Sequence, residues 1–156
     1  MVAVVDVDGV VADVRHRLHH VAGRPKDWRA FFAGASADGL LAEDEHTVRR
    51  LAEVYEIVYL SGRPERLRAV TEAWFARHDL PSGRLVLRPE GDYRPSSVWK
   101  VEELTALAGS RTVVVLIDDD PRVLEAARSA GFDVLPATWM GEHPALREAQ
   151  EHDGRT

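Results

Sequence analysis

Val2-Ala3-Val4-Val5-Asp6-Val7-Asp8-Gly9 sets four apolar residues directly before two carboxylates placed two positions apart. An unbroken apolar run of this length predicts a strand buried on both faces, the habit of a parallel sheet. On extended backbone, side chains two apart share a face, so Asp6 and Asp8 point toward one site. Gly9 lets the chain turn tightly or approach a ligand closely. The two aspartates also interrupt the run before it reaches the apolar length of a secretory signal, so none is expected.

Outward from this stretch, short β-branched runs alternate with longer amphipathic ones. Glu56–Leu60, Arg84–Leu87, Thr112–Ile117 and Phe132–Leu135 read as four further strands. Between them, Thr47–Val54, Pro64–His78, Ser97–Ala108 and Pro121–Ala130 carry apolar residues on one helical stripe, with Gly109 and Gly131 where helix stops belong. Pro64 suits a first helical turn. The alternation predicts right-handed crossovers and a Rossmann-like three-layer α/β sandwich on a central, mainly parallel five-stranded sheet. Residues 11–46 break the pattern and read as a small helical insert after the first strand, too short for a large separate cap. A short helical pattern at Pro144–Glu151 precedes a polar end that is expected to fray, and residues 1–156 read as one domain.

The bulk properties agree. The 156 residues are 45% hydrophobic and 29% charged, the balance of a globular protein with a sizeable core. No cysteine is present, which excludes disulfides and thiolate metal sites and fits a cytoplasmic location. No apolar stretch approaches the roughly 20 residues that span a bilayer. A formal net charge of -6 argues against coating nucleic acid with the whole surface, although a local basic groove is compatible with it.

In an open parallel sheet, ligands bind beyond the carboxyl ends of the strands. Asp6 and Asp8, then Ser61-Gly62-Arg63, then Asp118-Asp119-Asp120 all fall at such ends, and Lys100 lies near the start of a helix. Two carboxylates on one strand end can divide labour, one attacking phosphorus and the other moving a proton. Asp118 and Asp119 add negative charge that a hard cation such as Mg²⁺ would resolve. Ser61 and Gly62 suit a phosphate oxygen, and Lys100 offsets the accumulated charge. Taken singly, each motif has a plainer reading: a turn, a strand-to-helix connection, an N-cap, an exposed lysine. Their joint order at strand ends is what points to an active site.

These motifs resemble the haloacid dehalogenase-like phosphohydrolase superfamily, over residues 2–136. The resemblance implies that Asp6 is a nucleophile forming an aspartyl-phosphate, and that Asp8 protonates the leaving oxygen and then activates water. It implies that Ser61 and Lys100 hold the transferring group, and that Asp6, Asp118, Asp119 and the carbonyl of Asp8 hold Mg²⁺. Leu60 to Glu65, Glu72-Ala73-Trp74, Leu87-Arg88-Pro89, Gly91-Asp92 and Lys100 look like the 3′-phosphatase domain of phage-type polynucleotide kinase–phosphatases, as does Lys26-Asp27-Trp28 through Phe32. Arg17, eleven residues after Asp6, and Arg63 match arginines that this family sets near the substrate phosphate. The implied substrate is a phosphorylated nucleic-acid end. Departures are Val10 for a common threonine, Ser96 for an acid four residues before Lys100, the third aspartate Asp120, and Pro136–Met140 without the usual Gly-Asp. No Gly-x-x-x-x-Gly-Lys-Ser/Thr loop occurs, so any kinase or ligase would be a separate partner.

Other readings compete. The same chemistry would serve a small nucleotide or sugar phosphate, and a non-catalytic module could use the acids to hold Mg²⁺; the pairing of Asp6 with Asp8 counts against the latter. The short insert predicts an open site, as a polymer end requires. His16, His19 and His20 suggest zinc only weakly and suit a solvated helix better. Trp28, Phe31 and Phe32 could stack on a base but suit packing better. Arg15, Arg24, Lys26 and Arg29 could track a phosphodiester or merely solvate the insert. Trp74 and Trp99 are expected in or near the core.

Overall fold

The computed structural model describes the backbone of residues 1–156 and every side chain except that of Asp44. The strands are β1 (Val2–Val5), β2 (Ala12–Asp13), β3 (Gly39–Leu40), β4 (Glu56–Pro64), β5 (Gly83–Arg88), β6 (Val113–Asp118) and β7 (Val134–Pro136). The helices are α1 (His19–Ala22), α2 (Trp28–Ala33), α3 (Ala42–Ala52), α4 (Arg68–Arg77), α5 (Ser96–Ala108), α6 (Pro121–Ser129) and α7 (Pro144–Arg147). The main sheet runs β5-β4-β1-β6-β7, and every pairing in it is parallel. β1 is central, with Val4 opposite Val58 on one side and Leu116 on the other.

Alternation along the strands makes the three layers. Ala3, Val5, Ile57, Tyr59, Leu85 and Leu87 face Phe31, Val48 and Trp74, from α2, α3 and α4. Val2, Val4, Val58, Leu60 and Leu116 face Trp99, Leu104, Val123 and Ala127, from α5 and α6. Fully burying a large apolar side chain stabilises by about 1.5–3 kcal/mol. Trp74 and Trp99, each at most 1% exposed, therefore anchor one layer apiece.

Three local expectations are corrected. The insert ends at Leu41, and α3 begins at Ala42 rather than Thr47. The first turn of that helix is charged and carries no apolar stripe to announce it. The insert is also closed by an antiparallel pair, Ala12 opposite Leu40 and Asp13 opposite Gly39. Second, Pro64 ends β4 instead of opening a helix: it is extended (φ -66, ψ 150), and a 3₁₀ turn at Glu65–Leu67 precedes α4. Proline's fixed φ serves polyproline-like backbone as well as a first helical turn. Third, the polar end does not fray. After α7 the chain makes a π-helical turn at Glu148–His152 and folds back, leaving Ala149, Gln150, Glu151 and Thr156 buried. Among the described residues, no helix is long and apolar enough to cross a membrane.

Candidate active site

The residues expected to carry the chemistry lie where the sheet's carboxyl ends converge. Asp6 and Asp8 follow β1, Ser61 to Arg63 lie in the last part of β4, and Asp118 ends β6 with Asp119 next. Lys100 comes from the second turn of α5, and Arg17 from a 3₁₀ turn of the insert, Arg15–Arg17. Gly9 is at φ +81, which disfavours any side chain, and a Cβ there would also collide with the carboxylate of Asp119.

One half of the site is acidic. Lys100 Nζ lies 2.8 Å from Asp6 Oδ2 and 2.7 Å from Asp118 Oδ2. Asp6, Asp118 and Asp119 each offer an oxygen within 4.8 Å of the others. Arg147 Nη1 donates to Asp119 Oδ2 at 2.7 Å. Counting ionised groups, three buried carboxylates against buried Lys100 and partly exposed Arg147 leave one negative charge in excess. Burial, only partly offset by Lys100 and reinforced by Asp118 and Asp119, pushes the Asp6 carboxyl well above the usual carboxylate range. Burial likewise raises Asp119 to about 6, against the pull of Arg147. A cluster of hard oxygens with unbalanced charge fits a divalent cation of the Mg²⁺ or Ca²⁺ kind. The Asp8 carboxylate is outside this trio. Asp120 caps α6, accepting from Arg122 N at 2.9 Å, while its Oδ2 is buried without a partner. Burial and neighbouring Glu151 push it up to about 7. Of the three consecutive aspartates, then, only the last plays the N-cap.

The other half is built on two buried arginines. Arg63 reaches Asp8 Oδ1 through Nε at 2.8 Å and Nη2 at 2.6 Å, and Arg17 Nη2 meets the same oxygen at 3.2 Å. Asp38 holds both guanidiniums from behind, taking Arg17 Nε at 2.8 Å, Arg17 Nη2 at 2.9 Å and Arg63 Nη2 at 2.7 Å. His16 Nε2 lies 2.8 Å from Asp38 Oδ1, and Trp74 Nε1 donates to the Asp38 carbonyl at 2.8 Å. Here the charges cancel, two arginines against two aspartates. Burial works to raise Asp8, but Arg63 and Arg17 outweigh it and hold its carboxyl far below the usual range. Sequence reasoning missed Asp38. It stands in Ser36-Ala37-Asp38-Gly39, which carries no motif, and its role exists only once the insert is folded against β4.

Ser61 is fully buried, and its Oγ accepts from Arg63 N at 3.3 Å. Ser96, standing in place of the expected acid, accepts from Arg88 Nη2 at 2.9 Å and donates to Thr156 O at 2.8 Å. Lacking that acid, Arg88 has its nearest carboxylate at 3.7 Å, on Asp92, and burial pushes the guanidinium down to about 10.

The expectation of an open site is corrected by the same residues. Thr156 Oγ1 donates to Asp8 Oδ2, and the Thr156 backbone packs so closely on Gly62 that a Cβ there would collide with it. Glu151 accepts from Ser97 N at 2.8 Å and Ser97 Oγ at 2.6 Å, at the start of α5. Arg24 pairs with Glu148 at 2.9 Å, and Lys26 with Glu148 at 3.2 Å and also with Asp153. These two basic residues of the insert thus bind the returning chain rather than only solvating the outer face. Arg15 pairs with Asp13. His16 is engaged with Asp38, and among the described residues no three-ligand cluster includes His16, His19 or His20. Phe31 and Phe32 are core residues, whereas Trp28 is half-buried.

Comparisons with known proteins bear on family and fold. The family model described as the polynucleotide kinase PNKP phosphatase domain matches residues 1–138. A chain of the Pnkp1/Rnl/Hen1 RNA repair complex superposes with a TM-score of 0.70 at 23% identity, covering 86% of this chain and 41% of that one. A second structure of that complex gives 0.71 at 22%, covering 86% and 45%. A haloacid dehalogenase-like hydrolase from Streptococcus pneumoniae gives 0.59 at 13%, covering 96% and 90%. The chain thus spans less than half the length of the repair-complex chains it matches. At these identities the structural likeness speaks for the fold. No curated protein matches the sequence. With a family match over residues 1–138 of 156, the chain belongs to the PNKP phosphatase-domain family, and it is a haloacid dehalogenase-like phosphatase.

Proposed function

We propose that residues 1–156 form one phosphatase domain that removes 3′-phosphates from nucleic-acid ends through an aspartyl-phosphate on Asp6. The observation that carries this reading is the position of the Asp6 carboxylate. It sits within the three-carboxylate cluster, on Lys100, beside a preformed pair of buried arginines. An Asp6 oxygen attacks phosphorus, and the ester P–O bond breaks. The leaving 3′-oxygen takes a proton from Asp8. Water then attacks phosphorus, Asp8 takes the water's proton, and phosphate leaves with the Asp6 carboxylate restored.

Arg63 and Arg17 keep Asp8 ionised, which suits the water step directly. A phosphate dianion would draw both guanidiniums and add a negative neighbour, two effects that raise Asp8 toward the protonated form the first step needs. Asp6, Asp118, Asp119 and the Asp8 carbonyl would hold Mg²⁺, which supplies charge neutralisation at the phosphoryl oxygens. Ser61, Gly62 and Lys100 would position the transferring group. The family match and the RNA repair complex named among the structural neighbours support a nucleic-acid end as substrate. A kinase or ligase partner would supply the neighbouring steps of end repair, since these residues hold no P-loop.

The test is phosphate release from a 3′-phosphorylated oligonucleotide, a 5′-phosphorylated one, a mononucleotide and an aryl phosphate, each with Mg²⁺ and with chelator. Selective, Mg²⁺-dependent turnover of the first is expected. Equal or better turnover of the mononucleotide overturns the reading in favour of a small-molecule phosphatase.

A further inference from the structure

The returning chain brings two side chains to the site that the proposed chemistry does not use. The Arg155 guanidinium lies over the Tyr93 ring at 4.2 Å and over the Trp28 ring at 5.3 Å. One residue on, Thr156 Oγ1 donates to Asp8 and the Thr156 carbonyl accepts from Ser96. The seating is specific. Gly154 is at φ +59, and a Cβ there would collide with the Tyr93 carbonyl, so a side chain has no room. Arg155 N donates to Ala149 O at 2.9 Å, closing the turn. Tyr93 is 54% exposed and outside both apolar clusters, so packing does not account for it.

A flat group on two aromatic faces and a hydroxyl on Asp8 are thus carried by adjacent residues. A terminal nucleotide has the same arrangement: a flat base, and one sugar away the oxygen that Asp8 must protonate. Aromatic faces bind bases irrespective of sequence, and the planar guanidinium uses the same faces. We propose that Tyr93 and Trp28 form a stacking subsite for the terminal nucleobase, which Arg155 fills when the nucleotide does not. Gly154–Thr156 is then an internal competitor for the substrate. This inference rests on the polynucleotide reading and adds to it the residues that hold the base.

The test compares two 3′-phosphorylated oligonucleotides, one with an ordinary terminal base and one with an abasic terminal sugar. Tyr93→Ala, at an exposed position, should raise KM for the base-bearing end roughly tenfold and change the abasic end less than about twofold. Tyr93→Phe should restore the wild-type value. Arg155→Ala should lower KM for the base-bearing end several-fold with kcat unchanged. Equal effects of Tyr93→Ala on both ends, or a rise in KM with Arg155→Ala, overturn the subsite while leaving the polynucleotide activity standing. Failure of wild type to prefer either oligonucleotide over an aryl phosphate sinks the polynucleotide reading itself, and the subsite with it.

Discussion

The acidic and arginine halves of the site are both buried, yet they solve burial in opposite ways. Asp8, Asp38, Arg17 and Arg63 form a charge-balanced set in which both Asp38 oxygens and Asp8 Oδ1 are met by guanidinium donors, and Asp8 Oδ2 by the Thr156 hydroxyl. Asp6, Asp118 and Asp119 exceed their cations by one charge, and burial pushes Asp6 and Asp119 toward the protonated form. The balanced half is complete as it stands, and in the proposed reading it receives the substrate phosphate. The unbalanced half holds stability in reserve that a divalent cation would release. Metal dependence is therefore expected of the acidic half, and fold dependence of the arginine half.

Substitutions can break the contrast from either side. Asp118→Asn removes one of the three carboxylates proposed to hold a cation, and a Lys100 partner. It should lower kcat by roughly 10³-fold or more and abolish any rise in Tm on adding Mg²⁺, read by thermal denaturation with and without chelator. Asp38→Asn strands positive charge in the other half. Breaking a buried pair costs about 3–5 kcal/mol, and the released guanidiniums should lower kcat/KM about 100-fold. Urea unfolding and steady-state rates check both numbers. The Mg²⁺-dependent rise in Tm should survive in Asp38→Asn, and its loss would mean that the halves are not separable.

A smaller effect concerns Asp120, at the edge of the acidic half. Its folded pKa is raised to about 7 by burial and Glu151, whereas an unfolded aspartate titrates near about 4. A raised folded pKa gives stability that is full below the unfolded value and is lost as pH rises through the folded one. Asp120→Asn keeps the α6 cap and removes that ionisation. In chelator, the variant's gain over wild type should be about 2–3 kcal/mol larger at pH 8 than at pH 5, read as Tm across the pH range. A gain independent of pH would contradict the assignment.

The two halves also differ in how far they are legible in the sequence. Asp6, Asp8, Ser61, Arg63, Asp118 and Asp119 follow apolar strand runs, so a period-2 or continuous pattern is enough to place them at the sheet's carboxyl ends. Lys100 sits on a helix whose stripe is legible, and its burial follows from packing α5 on β4 and β6. Arg17 is reached by its spacing from Asp6 within the resemblance, not by pattern. Asp38 is out of reach, because only the folded insert carries it to the guanidiniums of Arg17 and Arg63. The returning end misleads for a similar reason. Glu151 to Thr156 are polar, which signals solvent locally, but Lys26, Ser97 and Asp8 bind them across 54 to 148 residues of sequence. Apolar periodicity reports burial that is driven by the hydrophobic effect. It is silent on burial driven by charge pairing.

Asp6, the proposed nucleophile, is the point on which both halves bear. The direct measurement is acid quenching of a single turnover with a 3′-³²P-phosphorylated oligonucleotide, in wild type, Asp8→Asn and Asp6→Asn, followed by peptide mapping. The expected result is a hydroxylamine-sensitive phosphoryl label on the peptide containing Asp6, accumulating in Asp8→Asn and absent from Asp6→Asn together with turnover. Undiminished turnover in Asp6→Asn, or a label on another residue, would contradict the account.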